Sequence, residues 1–184
     1  MNTRIHLTEV ARNPEALAQA IGGGLRYAGI PVVSGDRWAV KLNLTYPRYL
    51  PGVVNSPVFV EALCRFASDH ALRLQLVEGD GGNGSYSAED TFRGNGIDAI
   101  AGRFGAQCVS LSQKPWQWRT TRVLDKTVAL PYSPFFVRRE YDHFGVAPLF
   151  KNHVYTVATL GMKNLWGCIP DPYRMYYHHQ LDHG

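Results

Sequence analysis

Apolar residues recur at two different spacings along the first 111 residues of the chain. Strict alternation, with Val40, Leu42 and Leu44 on one side, predicts a strand over residues 37–46. Two shorter apolar runs predict further strands, over residues 72–78 and 106–111. Between and before these strands, apolar residues stand three and four positions apart, which predicts helices with one buried face. A β-α-β-α-β order of this kind favours a mostly parallel sheet with helices packed on it.

The predicted helices begin at recognisable capping residues. These are Asn13 before Pro14, Asn55 or Ser56 before Pro57, and Ser87 with Asp90 three positions later. The run Gly22-Gly23-Gly24 inside the first helix is expected to weaken that helix or to end it early, because glycine is a poor helix former.

The second half of the chain has weaker periodicity. Residues 112–140 predict a hairpin or an irregular excursion beside the sheet, and "YDHFGVAPLF" (141–150) is consistent with another strand. Residues 154–166 mix strand and helix signals, and we expect a helix from Thr156 onward. The sequence as a whole predicts a single three-layer α/β domain over residues 1–184, with helices on both faces of a Rossmann-like sheet.

Composition narrows the class of protein. Hydrophobic residues make up 45% of the chain and charged residues 18%, which is typical of a globular protein with a core. No apolar run reaches the ~18 residues of a membrane helix, and the N-terminus lacks a secretion signal. We therefore expect a cytoplasmic protein without a membrane partner. The formal charge of +4 favours anionic partners, but no block of Lys and Arg concentrates it, which argues against nucleic acid.

Three glycines, Gly79, Gly81 and Gly84, have the G-x-G-x-x-G spacing of dinucleotide-binding folds. In those folds a helix begins inside the motif, whereas the helix signal here begins only at Ser87. The expected acidic residue at the end of the following strand is also missing, because that strand ends Leu111-Ser112-Gln113. We therefore do not expect NAD or FAD to bind this loop.

The ends of the first two predicted strands carry four polar side chains. Lys41 and Asn43 end the first strand, and Glu78 and Asp80 end the second. Ligands of parallel sheets collect at the carboxyl ends of the strands, so these side chains are expected to meet in one crevice. The alternative interpretation is a partly buried Lys41–Glu78 ion pair beside a flexible loop.

Lysine is scarce in this chain, because five of the 19 basic residues are Lys and 14 are Arg. Two of the five, Lys151 and Lys163, stand with Asn152, His153 and Asn164 in an otherwise apolar segment. Burying an unpaired ammonium costs several kcal/mol, so such lysines need partners or a ligand.

The polar positions in these segments resemble the motifs of one family, the domain of unknown function 362. "VKLNL" resembles its K-x-N strand end, "VEGDGG" its acidic glycine loop, and "PLFKNH" and "TLGMKNLWG" its P-x-x-K-x-H and G-x-K-N-x-x-G motifs. The resemblance runs from about residue 38 to the end. Asn152 stands where the family commonly has Thr.

The resemblance implies a set of site residues and a redox context. The implied ligand-binding residues are Lys41, Asn43, Glu78, Asp80, Gly81, Gly82 and Asn164; the implied catalytic residues are Lys151, His153 and Lys163. The family's later histidine corresponds to His178 or His179. Members usually continue beyond this point, so the domain is expected to be incomplete at its C-terminus. Members also often carry a ferredoxin-like module with 4Fe–4S clusters, which would make a ferredoxin-like protein a partner.

Iron–sulfur ligation within this chain is not expected. Cys64, Cys108 and Cys168 are far apart and form no C-x-x-C pair, so they are expected to be reduced residues of the core.

Several lysines around one crevice would form an anion site for carboxylate or phosphate. Crowded ammonium groups lower one another's pKa, which suits a lysine for proton transfer or covalent chemistry. His153 is a candidate general acid and base. His153 with His178 or His179 and the acidic residues is alternatively a candidate site for a divalent metal.

Three functions remain open at this point. The first is an enzyme that acts on a small anionic metabolite, and the second is a non-catalytic binder of a metabolite or cofactor that serves an iron–sulfur redox partner. The third is an RNA-binding module that uses arginines and the aromatic residues Trp116, Trp118, Tyr173, Tyr176 and Tyr177. The sequence does not decide whether the chain forms a homo-oligomer.

Overall fold

A computed structural model describes residues 5–123, 125–153 and 157–177 of the chain. Its main sheet contains four strands: β1 (Arg37–Lys41), β2 (Arg73–Glu78), β3 (Gln107–Ser110) and β6 (His143–Val146). The strand order is β3-β2-β1-β6, and every neighbouring pair is parallel. The predicted α/β class and the predicted parallel pairing of β1 with β2 are therefore confirmed.

The described part of the chain forms six α-helices, and the first three begin at the predicted capping residues. The six helices are α1 (Pro14–Ala28), α2 (Pro57–Asp69), α3 (Ala88–Gly94), α4 (Ile97–Arg103), α5 (Pro134–Arg138) and α6 (Gly161–Leu165). Asn13 and Ser56 cap α1 and α2 through their side chains, and Ser87 forms a full capping box with Asp90. Each cap supplies a hydrogen-bond acceptor to backbone N–H groups that the first helical turn leaves unpaired.

The alternation of β1 places its side chains on two different faces of the sheet. Val40 lies in the larger apolar core with residues of α2, α3 and α4, while Ala39 lies in a smaller core with Phe135 of α5. Both faces of the sheet are thus covered, as the sequence predicts. The strand of 37–46 is shorter than expected, because β1 ends at Lys41 and residues 42–44 continue as buried chain outside the ladder.

The glycine run in α1 does not end the helix early, so that part of the expectation is wrong. The helix continues through Gly22-Gly23-Gly24 to Ala28 and ends at Gly29, which has a φ of 70°. A β-carbon on Gly22 would come within 3.2 Å of the Phe66 ring of α2. Close packing of α1 on α2 therefore compensates for the low helix propensity of glycine.

The segment between β3 and β6 forms the predicted excursion. It contains an antiparallel hairpin of β4 (Gln117–Val123) and β5 (Lys126–Tyr132), followed by α5. The predicted strand within 141–150 is β6.

A helix from Thr156 onward was the wrong expectation for the C-terminal segment. Val157–Thr159 is a strand, β8, which pairs antiparallel with β7 (Lys151–His153), and α6 begins only at Gly161. Pairing with β7 supplies backbone hydrogen bonds that the local sequence could not reveal, and the β-branched Val157 and Thr159 are compatible with a strand. Thr156 itself lies outside the described residues.

The strand order fixes where a ligand site can form. The chain proceeds from β1 through β2 to β3 on one side, then returns to place β6 on the other side of β1. The strand order therefore reverses at β1, and in parallel sheets ligand crevices form at the carboxyl edge beside such a switch point. Within the described ranges, no helix has the length and apolar character needed to cross a membrane.

Candidate functional site

A cleft of about 260 Å³ lies at the carboxyl edge of the sheet. Its walls come from the chain after β1, the glycine loop after β2, β7, and the segment from α6 to Met175. The lining residues are Lys41, Asn43, Leu44, Thr45, Glu78, Gly79, Asp80, Gly81, Gly82, Lys151, Lys163, Asn164, Trp166, Gly167, Arg174 and Met175. All the sequence-predicted site residues except the three histidines thus line one cleft.

A buried ion pair between Lys41 and Glu78 forms the base of the cleft. The Lys41 ammonium contacts Glu78 Oε1, and the side chains are only 2% and 6% exposed. Lys41 also donates to the Leu42 carbonyl at 2.7 Å, and Glu78 Oε2 accepts the Leu44 N–H at 2.8 Å. The ion pair foreseen as the alternative interpretation is present. Glu78 therefore acts as the internal counter-ion of Lys41.

Two asparagines connect this base to the cleft wall. Asn164 Oδ1 accepts from Lys41 Nζ at 3.4 Å and from Asn43 Nδ2 at 3.2 Å. Asn43 Oδ1 accepts from Lys151 Nζ at 2.9 Å, and Lys151 donates also to the Val53 carbonyl at 2.6 Å. The network holds both lysine stems in place but supplies Lys151 with no carboxylate partner. Burial and the charges of Lys163 and Lys41 lower the pKa of Lys151, although Glu78 opposes this effect.

Lys163 differs from the other two lysines of the cleft. It is half-buried on α6, and among the described residues its ammonium has neither a hydrogen bond nor an ion pair. Burial lowers the pKa of Lys163, and the nearby charges of Arg174 and Lys41 lower it further. Contacts among the described residues therefore do not explain why the fold keeps a partly buried cation at position 163.

Arg174 is a cleft cation that the sequence interpretation missed. Its guanidinium donates to the carbonyl oxygens of Asp80 at 2.8 Å and Asp171 at 3.4 Å, and both of these acceptors are neutral. Burial lowers the pKa of Arg174, while Glu78 and Asp80 oppose that effect. In the sequence, Arg174 is a single arginine in the aromatic stretch "PYRMYY", and this pattern alone does not identify a site.

Asp80 serves the fold as well as the cleft. Its Oδ1 accepts the N–H of Ala88, the first residue of α3, at 2.9 Å, and its own N–H donates to Ser112 Oγ at 2.9 Å. The Gly81 N–H donates to the Tyr86 carbonyl, and the Asn83 N–H donates to the Pro172 carbonyl. The glycine loop is therefore tied to its neighbours by hydrogen bonds.

The glycines of this loop have different surroundings. A β-carbon on Gly79 would come within 2.5 Å of the Gly167 carbonyl, and one on Gly81 within 2.5 Å of Ser85 Oγ. A β-carbon on Gly82 would meet nothing within 4 Å. Gly79 and Gly81 thus allow the loop to pack closely against other residues of the chain. Gly82 has no such neighbour and leaves open space beside the cleft.

The histidines predicted as catalytic or metal-binding residues cannot be placed. His153 belongs to β7, but its side chain lies outside the described part of the structure, as do His178 and His179 entirely. Across the described ranges, no three His, Cys, Asp or Glu side chains lie together in a way that could hold a metal ion. Lysine and arginine outnumber the two carboxylates in the cleft walls that are described, and this excess suits an anion better than a cation.

The charges that line the cleft do not balance. Four cations (Lys41, Lys151, Lys163 and Arg174) face two carboxylates (Glu78 and Asp80), which leaves a formal charge of four minus two, or +2.

The fold and this cleft define an α/β protein with a cationic site at the switch point of its parallel sheet. The family model described as "Domain of unknown function (DUF362)" matches residues 39–183, and the chain therefore belongs to that family. Comparisons with curated proteins and with solved structures found no match.

Proposed function

We propose that the cleft binds a small metabolite that carries a carboxylate or phosphate group, and that Lys163 is the cation that meets this group. The main support for this proposal is the half-buried Lys163 ammonium, which has no counter-ion among the described residues. Removing a charge from water without a partner costs free energy, and a bound anion would offset that cost.

The neighbouring cations support the same ligand class. Lys151 uses two of its three ammonium hydrogens on Asn43 and Val53, which leaves one donor for a ligand. Arg174 has five N–H donors in a planar fork that matches carboxylate and phosphate. The volume of about 260 Å³ lies below the roughly 300–1,000 Å³ of pockets for drug-sized ligands, which favours a small metabolite.

The two half-buried lysines also support a chemical role. A lowered pKa increases the fraction of neutral amine near neutral pH, and a neutral amine can accept a proton or attack a carbonyl carbon. Lys151 is therefore our proposed catalytic amine. Lys163 would contribute to catalysis as the cation that holds the anionic group, and His153 of β7 is a further candidate acid and base. An enzyme that acts on a carboxylated or phosphorylated metabolite would use the cleft in this way.

The test is calorimetric titration of the wild type and Lys163→Met with inorganic phosphate and with succinate. We expect the wild type to bind at least one of these anions and Lys163→Met to lose that binding. Lys114→Met is the matched control, because it removes the same charge from an exposed lysine outside the cleft. Equal affinities of wild type and Lys163→Met, or no binding of either anion to the wild type, would contradict the proposal.

A further inference from the structure

The charge of the cleft constrains the ligand beyond its being an anion, provided that the proposed function holds. Lys41 is neutralised within the protein by Glu78, and its ammonium hydrogens are directed to Glu78, Leu42 and Asn164. Three cations then remain: Lys151, Lys163 and Arg174. No salt bridge joins any of them to a carboxylate within the described residues.

Asp80 supplies the one remaining carboxylate of the lining. One of its oxygens is occupied by the Ala88 N–H. Arg174 contacts the Asp80 backbone carbonyl rather than its carboxylate. Three cations against one carboxylate leave a formal charge of +2.

The three cations lie close enough to affect one another. The charge of Arg174 lowers the pKa of Lys163, and the charge of Lys163 lowers that of Lys151. A ligand with one negative charge would leave a net positive charge among these partly desolvated groups. A second negative charge on the ligand would neutralise the formal charge of +2. The ligand could then also form charge-assisted hydrogen bonds to more than one of the cations.

We infer that the ligand of this cleft is a dianion, met by Lys163 together with Arg174 and Lys151. The two charges belong either to one phosphate monoester group or to the two carboxylates of a small dicarboxylic acid. Both have the same net charge and both accept the hydrogen bonds that ammonium and guanidinium groups donate.

Pairs of ligands that differ by one charge test the inference. Succinate is compared with succinamate, in which an amide of nearly the same shape replaces one carboxylate. Methyl phosphate is compared with dimethyl phosphate at about pH 8, well above a second phosphate pKa of about 6. We expect the dianion to bind roughly tenfold or more tightly in at least one pair, as for one added charge-assisted hydrogen bond. The pair that shows the preference identifies the source of the charges.

The outcomes separate this inference from the proposed function. If monoanions bind but neither pair shows a tenfold preference, the dianion inference is overturned and the anion site stands. If none of the four ligands binds, both are overturned.

Variants at Arg174 test the assignment of the charge. Arg174→Gln should reduce the dianion preference, and the charge-conserving Arg174→Lys should retain most of it. Equal preferences in Arg174→Gln and the wild type would overturn the role given to Arg174. An equal loss in both variants would do the same, because charge would then not be the property that matters.

Discussion

Lys41 and Lys163 line the same cleft but have opposite surroundings. Lys41 is 2% exposed and paired with Glu78, whereas Lys163 has no counter-ion among the described residues. Lys41→Met should lower the free energy of unfolding by ~3–5 kcal/mol, because it leaves the Glu78 carboxylate buried without its cation. Lys163→Met should leave this free energy nearly unchanged or raise it, because it removes a charge that the fold does not compensate. Chemical denaturation of both variants measures the contrast.

Lys114→Met again provides the control for the loss of one surface charge. If Lys163→Met unfolds several kcal/mol more easily while anion affinity is intact, Lys163 is a structural residue. The G-x-K-N-x-x-G segment would then not contribute its lysine to function.

The lowered pKa of Lys163 predicts how stability depends on pH. The folded protein releases this proton below the ordinary lysine pKa of 10.5, at which the unfolded chain releases it. Between the two pKa values the unfolded chain binds more protons, so the free energy of unfolding rises with pH. The wild type should therefore gain stability relative to Lys163→Met as pH increases from neutral towards 10.5, and anion affinity should fall over the same interval. A stability difference that does not change with pH would show that the Lys163 pKa is not lowered.

At the scale of elements, the cleft depends on the contact of the glycine loop with the turn after α6. Gly79 packs on the Gly167 carbonyl, and a β-carbon at Gly79 would come within 2.5 Å of it. Gly79→Ala should therefore destabilise the protein by ~1–3 kcal/mol through overpacking. Gly82→Ala should change stability by less than about 0.5 kcal/mol, since it meets nothing within 4 Å.

Ligand titration adds a second measurement to this pair. Gly82 lines the cleft, so Gly82→Ala should weaken anion binding while the fold is retained. Unchanged affinity in Gly82→Ala would show that the ligand does not approach the backbone of the loop at this position.

The three cysteines of the chain determine whether it can hold an iron–sulfur cluster by itself. Burial raises the pKa of the Cys64 thiol to about 12 and those of Cys108 and Cys168 to about 11. Iron–sulfur clusters are held by thiolates, and three separate cysteines cannot supply the four ligands of one cluster. We expect this chain to contain no 4Fe–4S cluster after anaerobic purification, as measured by iron analysis and the absorption spectrum. About four irons per monomer with a brown colour would contradict this expectation.

From the sequence alone we could predict the parallel sheet, the starts of α1, α2 and α3, and the face on which each β1 side chain lies. These features depend on local spacing and on capping residues, because side chains alternate along a strand and helix ends need hydrogen-bond acceptors. The sequence also identified Lys41, Lys151 and Lys163 as charges among apolar neighbours. The family resemblance is confirmed over residues 39–183.

The partners of those residues depend on the tertiary structure. It paired Lys41 with Glu78, left Lys163 without a counter-ion among the described residues, and brought Arg174 to the cleft from the far end of the chain. Gly22 stays helical because Phe66 packs on it, and β8 is a strand because β7 pairs with it. Each of these outcomes depends on a contact between separate elements. Such a contact stabilises a segment without changing the spacing of apolar residues within it, so the local sequence pattern does not reveal it.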